Sequence, residues 1–157
     1  MTPLPTGPAV GDEAPDFELR DQHGQSHRLS GYRGRSNVLL VFYPFAFTGV
    51  CTGEMCALRD DFGVPRSDGL TVLALSCDSV GTLRAFADRE GLDFPLLSDF
   101  WPHGAVASAY GVFNDALGAP DRGTFLVDRQ GIVRWTVRTE LGQARDIAAY
   151  EKAIAEL

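Results

Sequence analysis

The chain has no long apolar run, no dense basic cluster, no internal repeat, no low-complexity tract and only three cysteines. Each shortage removes a class of protein. No apolar stretch approaches the roughly 20 residues that cross a bilayer, so no membrane partner is expected. Lys and Arg number 14 against 21 Asp and Glu, for a net charge of −7. The richest basic stretch, "YRGRS", holds two arginines, so a nucleic-acid partner, which needs a basic face, is not expected. The opening "MTPLPTGPAVGDEAPDF" has neither a basic start nor an apolar h-region. It does not read as a secretory signal, and the expected location is cytoplasmic. Thiols are mostly reduced there, and an odd count of cysteines argues against a disulfide framework. A disulfide in this chain is expected to be catalytic or transient. The C-x-x-C of general disulfide reductases is absent.

What remains is 157 residues, enough for one domain with its own core. The expected domain is 1–157, with the Pro/Gly-rich residues 1–14 as an extended arm. "DFEL" and "SHRL" flank the turn-like "RDQHGQ" and predict a β-hairpin. "NVLLVFYP" and "LTVLALS" are nearly continuous apolar runs, the pattern of strands buried on both faces of a sheet. "VCTGEMCALRDDF" predicts the helix between them. "DSVGTLRAFADREG" predicts a second helix, with Asp78 or Ser79 as N-cap and Gly91 as C-cap. "FPLLSD" follows as a short strand and "GAVASAYGV" as a short helix. "GTFLVD" and "GIVRWTVR" predict strands joined by the turn "DRQG". "ARDIAAYEKAIAEL" predicts a closing helix with Ile147, Tyr150, Ile154 and Leu157 on its apolar face. A βαβ unit followed by an antiparallel hairpin and a helix is the order of a thioredoxin-like α/β fold: a central mixed sheet flanked by helices.

In that order, "YPFAFTGVCTGEMC" connects the first central strand to its helix. It places two thiols, Cys51 and Cys56, five positions apart. Chemistry in open α/β sheets gathers at the carboxyl ends of strands. Cys51 falls in the first turn of the helix, where unpaired N–H groups and partial positive charge favour a thiolate nucleophile. Arg122, at the start of a predicted strand, could reach the same rim and add a cation. Pro44 ends the strand. Thr48 brings a hydroxyl that can donate and accept, and Phe45 and Phe47 an apolar surround. These are parts for a thiolate attacking a small polar molecule at prearranged donors.

Competing readings bear on the same residues. Cys77, in "LALSCDS", reads as a buried small hydrophobe. Two thiolates with His103 could bind a soft metal. Their spacing exceeds that of short zinc hooks and leaves Thr48 and Arg122 without a role, so no metal is expected. His103 reads as a loop or interface residue, and Phe100 and Trp101 as packing or contact residues. Glu54 and Arg145 read as surface charges, although Glu54 also suits a helix first turn.

Pro44, Thr48 and Cys51 resemble the P-x-x-x-[TS]-x-x-C motif of peroxiredoxins, and Arg122 stands where that family has its arginine. "VGDEAPDFEL" resembles the family's N-terminal segment, and "FPLLSDFWPHGAVASAYGVFN" resembles the AhpE-type subfamily. The resemblance runs over residues 9–155. It implies a thiol peroxidase that reduces hydrogen peroxide and organic hydroperoxides without a metal or organic cofactor. Cys51 is then the peroxidatic cysteine, oxidised to a sulfenic acid. Thr48 and nearby backbone N–H groups hold the peroxide, Arg122 supports the thiolate and the developing charge, and Pro44 shields the sulfur. Glu54 stands where the family often carries a residue that orients the arginine. A thioredoxin-, glutaredoxin- or mycoredoxin-like reductant is implied as partner. A homodimer is also implied, with the aromatic "DFWPHG" as a candidate contact surface.

Cys56 departs from the one-cysteine pattern. In bacterioferritin-comigratory-type members a cysteine at this offset resolves the sulfenic acid as an intramolecular disulfide. On an intact helix, five residues separate Cα atoms by about 8.6 Å, whereas a disulfide wants no more than about 7 Å. The first turns must therefore unwind, which Gly53 makes easier. Cys77 and an external thiol stay open as alternative resolvers.

Overall fold

The structure, a computed structural model, describes residues 7–62 and 69–157. Strands β1 (Glu18–Arg20) and β2 (Ser26–Arg28) form the predicted hairpin, with Glu18 opposite Arg28. A short 3₁₀ turn, Leu29–Tyr32, leads to β3 (Asn37–Phe42). Then come α1 (Gly49–Phe62), β4 (Leu70–Ser76), α2 (Val80–Glu90), β5 (Leu96–Ser98) and α3 (Ala105–Ala109). Strands β6 (Phe113–Asn114) and β7 (Ala119–Pro120) form a small separate hairpin that no sequence signal predicts. Strands β8 (Arg122–Val127) and β9 (Val133–Thr139) and helix α4 (Ile147–Ala155) close the chain.

The main sheet runs β2-β1-β5-β4-β3-β8-β9. β3, β4 and β5 are parallel, and β1, β8 and β9 extend the sheet antiparallel. This is the expected thioredoxin-like mixed sheet. Alternation along β3 divides the core. Leu39 and Val41 pack with Met55 and Leu58 of α1, Phe86 of α2 and Tyr150 of α4. Val38, Leu40 and Phe42 face the other way, onto Phe17, Leu29, Ala107 and Tyr110. Both faces of the strand are dry, and that is why its sequence is a continuous apolar run rather than an alternating one.

The described part of the N-terminal arm is tied down. Gly11 N donates to Val133 O, and Ala14 N donates to Gly131 O, so the arm pairs along the β8–β9 turn. Residues 1–6 of the expected extended arm lie outside the described residues. Ser79, rather than Asp78, caps α2 by accepting from Thr82 N at 3.2 Å, and Gly91 closes it in the left-handed region at φ 64°.

The closing helix begins later than expected. Asp146 accepts from Ala148 N and starts it, because Arg145 is drawn into the interior. Leu157, expected on the apolar face, lies past the helix end and is exposed. No helix among the described residues is long and apolar enough to cross a membrane.

Candidate active site

Antiparallel pairing of β8 with β3 brings the start of β8 to the carboxyl end of β3. Arg122 is the first residue of β8, and Cys51 is the third residue of α1, the helix that follows β3. Residues 71 positions apart in sequence thereby meet at one cavity of about 290 Å³. Pro44, Phe45, Thr48, Cys51 and Arg122 line it, together with Leu117 and Leu141, which no sequence pattern marks out. Cys51 borders this cavity with no exposure to bulk water. Arg122 is also buried.

The loop between β3 and α1 is pinned from two sides. Asp78 Oδ2 accepts from Ala46 N at 2.9 Å and from Ser76 Oγ at 2.7 Å, which ties the loop to the end of β4. Phe47 adopts φ 67°, a conformation that costs a bulky residue free energy. Its ring packs on Phe86 of α2, with centroids 5.1 Å apart, and under the Arg89 guanidinium at 5.9 Å. Phe47 thus anchors the loop to α2; of the two phenylalanines, only Phe45 lines the cavity. Thr48 Oγ1 donates to Phe45 O at 2.9 Å. Its lone pairs are left to accept, and donation to another partner requires the hydroxyl to turn.

Glu54 and Arg145 are not surface charges. Both are buried, and with Arg122 they form a charged triad behind the cavity. One Glu54 oxygen accepts from Arg122 Nη1 and from Arg145 Nη2, and the other accepts from Arg145 Nε and backbone N, both at 2.8 Å. Arg145 Nη1 also donates to Phe42 O at 2.7 Å and Gly123 O at 2.9 Å, at the ends of the two strands that frame the site. Arg122 Nε donates to Leu141 O at 2.7 Å. Among the described residues Arg122 Nη2 makes no hydrogen bond. Burial pushes the Glu54 carboxyl up, but hydrogen bonds and positive charge from Arg145, and charge from Arg122, outweigh it and hold the carboxyl below its usual range. Arg145 lies in an unremarkable stretch, "LGQARD", and only its tertiary partners mark it as part of the site.

The other two thiols lie elsewhere. Cys56 is half-buried on the side of α1 that faces α2, and its Sγ donates to Glu90 Oε2 at 3.6 Å. Burial, then this contact, pushes the Cys56 thiol up. Cys77 is buried past the end of β4. Burial, followed by the charges of Asp99 and Asp78, pushes it up to about 12, so it stays a thiol at neutral pH. All three cysteines are free, and α1 is continuous from Gly49 to Phe62 across both Cys51 and Cys56.

His103 directs its ring nitrogens at the carbonyls of Phe100, 3.2 Å away, and Gly118, 2.7 Å away. Among the described residues no group of three or more His, Cys, Asp or Glu converges as a metal set.

Residues 10–136 match the AhpC/TSA family. Alkyl hydroperoxide reductase E of Mycobacterium tuberculosis (strain H37Rv) is 51% identical over 148 residues, covering 94% of this chain and 97% of that protein. The chloroplastic peroxiredoxin Q of Triticum aestivum is 34% identical over 148 residues, covering 94% of this chain and 67% of that one. Among solved structures, peroxidoxin BcpB from Mycobacterium tuberculosis superposes with a TM-score of 0.76 at 34% identity, covering 94% of this chain and 95% of that one. The reduced 2-Cys peroxiredoxin of Plasmodium vivax superposes at 0.83 with 28% identity, over 93% and 80% of the two chains.

Proposed function

Since this chain belongs to the AhpC/TSA family, as a peroxiredoxin of the alkyl hydroperoxide reductase E type and thus a thiol-dependent peroxidase, we propose that Cys51 is its peroxidatic cysteine. The observation that supports this most is the meeting of Cys51, Thr48, Pro44 and Arg122 at one cavity. The Cys51 thiolate attacks the terminal peroxide oxygen. An S–O bond forms, the O–O bond breaks, and the departing oxygen leaves as water or alcohol with a proton. Arg122 carries positive charge to the rim, and its Nη2 is the donor still available for the developing charge. Thr48 accepts from, or after turning donates to, the peroxide. Glu54 and the Leu141 carbonyl hold Arg122 in place, and Arg145 holds Glu54. Phe45, Leu117 and Leu141 make the mouth apolar, which suits organic hydroperoxides alongside hydrogen peroxide.

The resolving step in this proposal is attack of Cys56 on the Cys51 sulfenic acid, followed by reduction of the disulfide by a thioredoxin-, glutaredoxin- or mycoredoxin-like protein. An external thiol is the second reading. It is favoured by the unbroken helix between the two thiols and by the turn of Cys56 toward Glu90.

Intact mass of the reduced protein after one equivalent of hydrogen peroxide separates the two. Resolution by Cys56 gives a loss of about two mass units that disappears in Cys56→Ser. External resolution gives a gain of about sixteen in both proteins. No change in either sinks the peroxidase assignment of Cys51.

The cytoplasm is the proposed compartment, supported by three free cysteines in a chain whose chemistry needs a reduced thiol. A homodimer is proposed through the surface that carries Phe100 and Trp101, which is 80% exposed. Sedimentation equilibrium at micromolar concentration is expected to return twice the chain mass; a monomeric mass refutes it.

A further inference from the structure

Glu90 has no part in peroxide reduction as described above, yet it sits against the second thiol. It is the last residue of α2. Its Oε2 accepts from Cys56 Sγ at 3.6 Å, and its Oε1 faces Arg89 Nε at 3.6 Å. Its main-chain oxygen accepts from Arg59 Nη1, so Cys56 and Arg59, on successive turns of α1, both hold the end of α2. The side chain of Glu90 is only 22% exposed. The charges around Cys56 are Arg59 and Asp60 from its own helix and Glu90, with Arg89 beyond it, from α2.

A carboxylate that accepts a thiol hydrogen does two things. It fixes the rotamer of the thiol, and it opposes loss of the proton, because a thiolate there would face the carboxylate's negative charge. Disulfide formation needs the reverse on both counts. Cys56 must leave α2 when the start of α1 unwinds, and it must attack as a thiolate. We propose that Glu90 is a positioning residue that restrains Cys56, holding it as a thiol on α2 and so setting the rate and pH dependence of disulfide formation with Cys51. This rests on the reading of Cys56 as the resolving cysteine.

The step balances without a further reagent. The Cys56 Sγ–Cys51 Sγ bond forms and the Cys51 S–O bond breaks. Cys56 is oxidised and the sulfenic sulfur reduced. The proton from the thiol leaves with the hydroxide as water. The slower this step, the longer the sulfenic acid stays open to an external thiol.

Glu90→Gln keeps the size of the side chain and removes its charge. Two measurements test it. In the first, the wild type and Glu90→Gln each meet one equivalent of hydrogen peroxide. Samples are quenched with an alkylating agent over time at a series of pH values, and the disulfide is followed by mass. Glu90→Gln is expected to form it about fivefold faster at neutral pH, as removal of a partly exposed charge interaction implies, with its pH–rate profile displaced to lower pH. In the second, no peroxide is used. Alkylation of Cys56 by iodoacetamide is followed against pH in Cys51→Ser/Cys77→Ser protein, with and without Glu90→Gln, and the same displacement is expected. Coincident alkylation profiles overturn the hold of Glu90 on Cys56. Displaced alkylation with coincident disulfide rates overturns its control of resolution. A disulfide absent from both proteins refutes Cys56 as the resolving residue, and with it this role for Glu90. A merely structural role for Glu90 moves stability but neither pH profile.

Discussion

Cys51→Ser is expected to lower peroxide consumption by at least about 10³-fold, the scale of loss when a nucleophile is removed from a preorganised site. A serine hydroxyl fits the same buried position with little change in volume. It does not ionise near neutral pH, and it cannot be oxidised to a sulfenic acid. The cavity, Thr48 and Arg122 are untouched, so circular dichroism and thermal unfolding should match the wild type while turnover disappears. Neither Cys56→Ser nor Cys77→Ser should do this in a single-turnover assay. Cys56 is turned toward α2, and Cys77 is held as a thiol by burial and two nearby carboxylates. Peroxide reduction that survives Cys51→Ser and disappears with Cys77→Ser would overturn the assignment.

Glu54→Gln is the second large expectation, and it concerns both stability and rate. Among the described residues Glu54 is the only acid joining Arg122 and Arg145, and all three side chains are buried. Replacing it with a neutral amide leaves two buried guanidinium groups without a countercharge. Breaking a buried ionic cluster in this way costs about 3–5 kcal/mol, or roughly 6–20 °C in melting temperature for a chain of this length. Urea unfolding measures it directly.

The pH dependence has a definite sign. The Glu54 carboxyl lies below its ordinary 4.5 in the folded state, so its contribution is fully present above that value. The contribution disappears as pH falls through the depressed folded value. The wild type should therefore lose stability below about pH 4.5 more steeply than Glu54→Gln. Parallel acid limbs would show that the triad contributes little. Activity should also fall, by about 10- to 100-fold at a temperature where the variant is folded, because Arg122 loses the carboxylate that orients it. Unchanged turnover would mean that Leu141 O alone holds the guanidinium.

The residues behind these two effects come together over different ranges of the chain. Cys51 and its neighbours are a local matter. Pro44, Thr48 and Cys51 lie within eight residues, between a continuous apolar strand and a helix start, and a linear pattern is enough to find them. The same holds for the cap at Gly91, the turn at Asp128–Gly131 and the first hairpin. Each depends on a backbone preference that its own residues express.

The Glu54–Arg145 contact joins positions 91 residues apart. An isolated charge in a polar stretch looks like a solvated one, yet Arg145 is buried between the ends of β3 and β8 and donates to a carbonyl of each. Phe47 is a second case: as an apolar residue in the loop before Cys51 it fits a cavity wall, but its ring packs on Phe86 of α2 and lies outside the cavity lining.

By itself the sequence determined the fold class, the order of the main-sheet strands and the helices, and the position of Cys51 at a helix start, because hydrophobic period and capping chemistry act over a few residues; the small β6–β7 hairpin lay outside its reach. Tertiary structure decided which charges are buried together, which phenylalanine faces the cavity, and that Cys56 meets Glu90 rather than Cys51. Those outcomes depend on pairing register and helix packing between distant segments, where burial converts an ordinary surface charge into one that must find its partner.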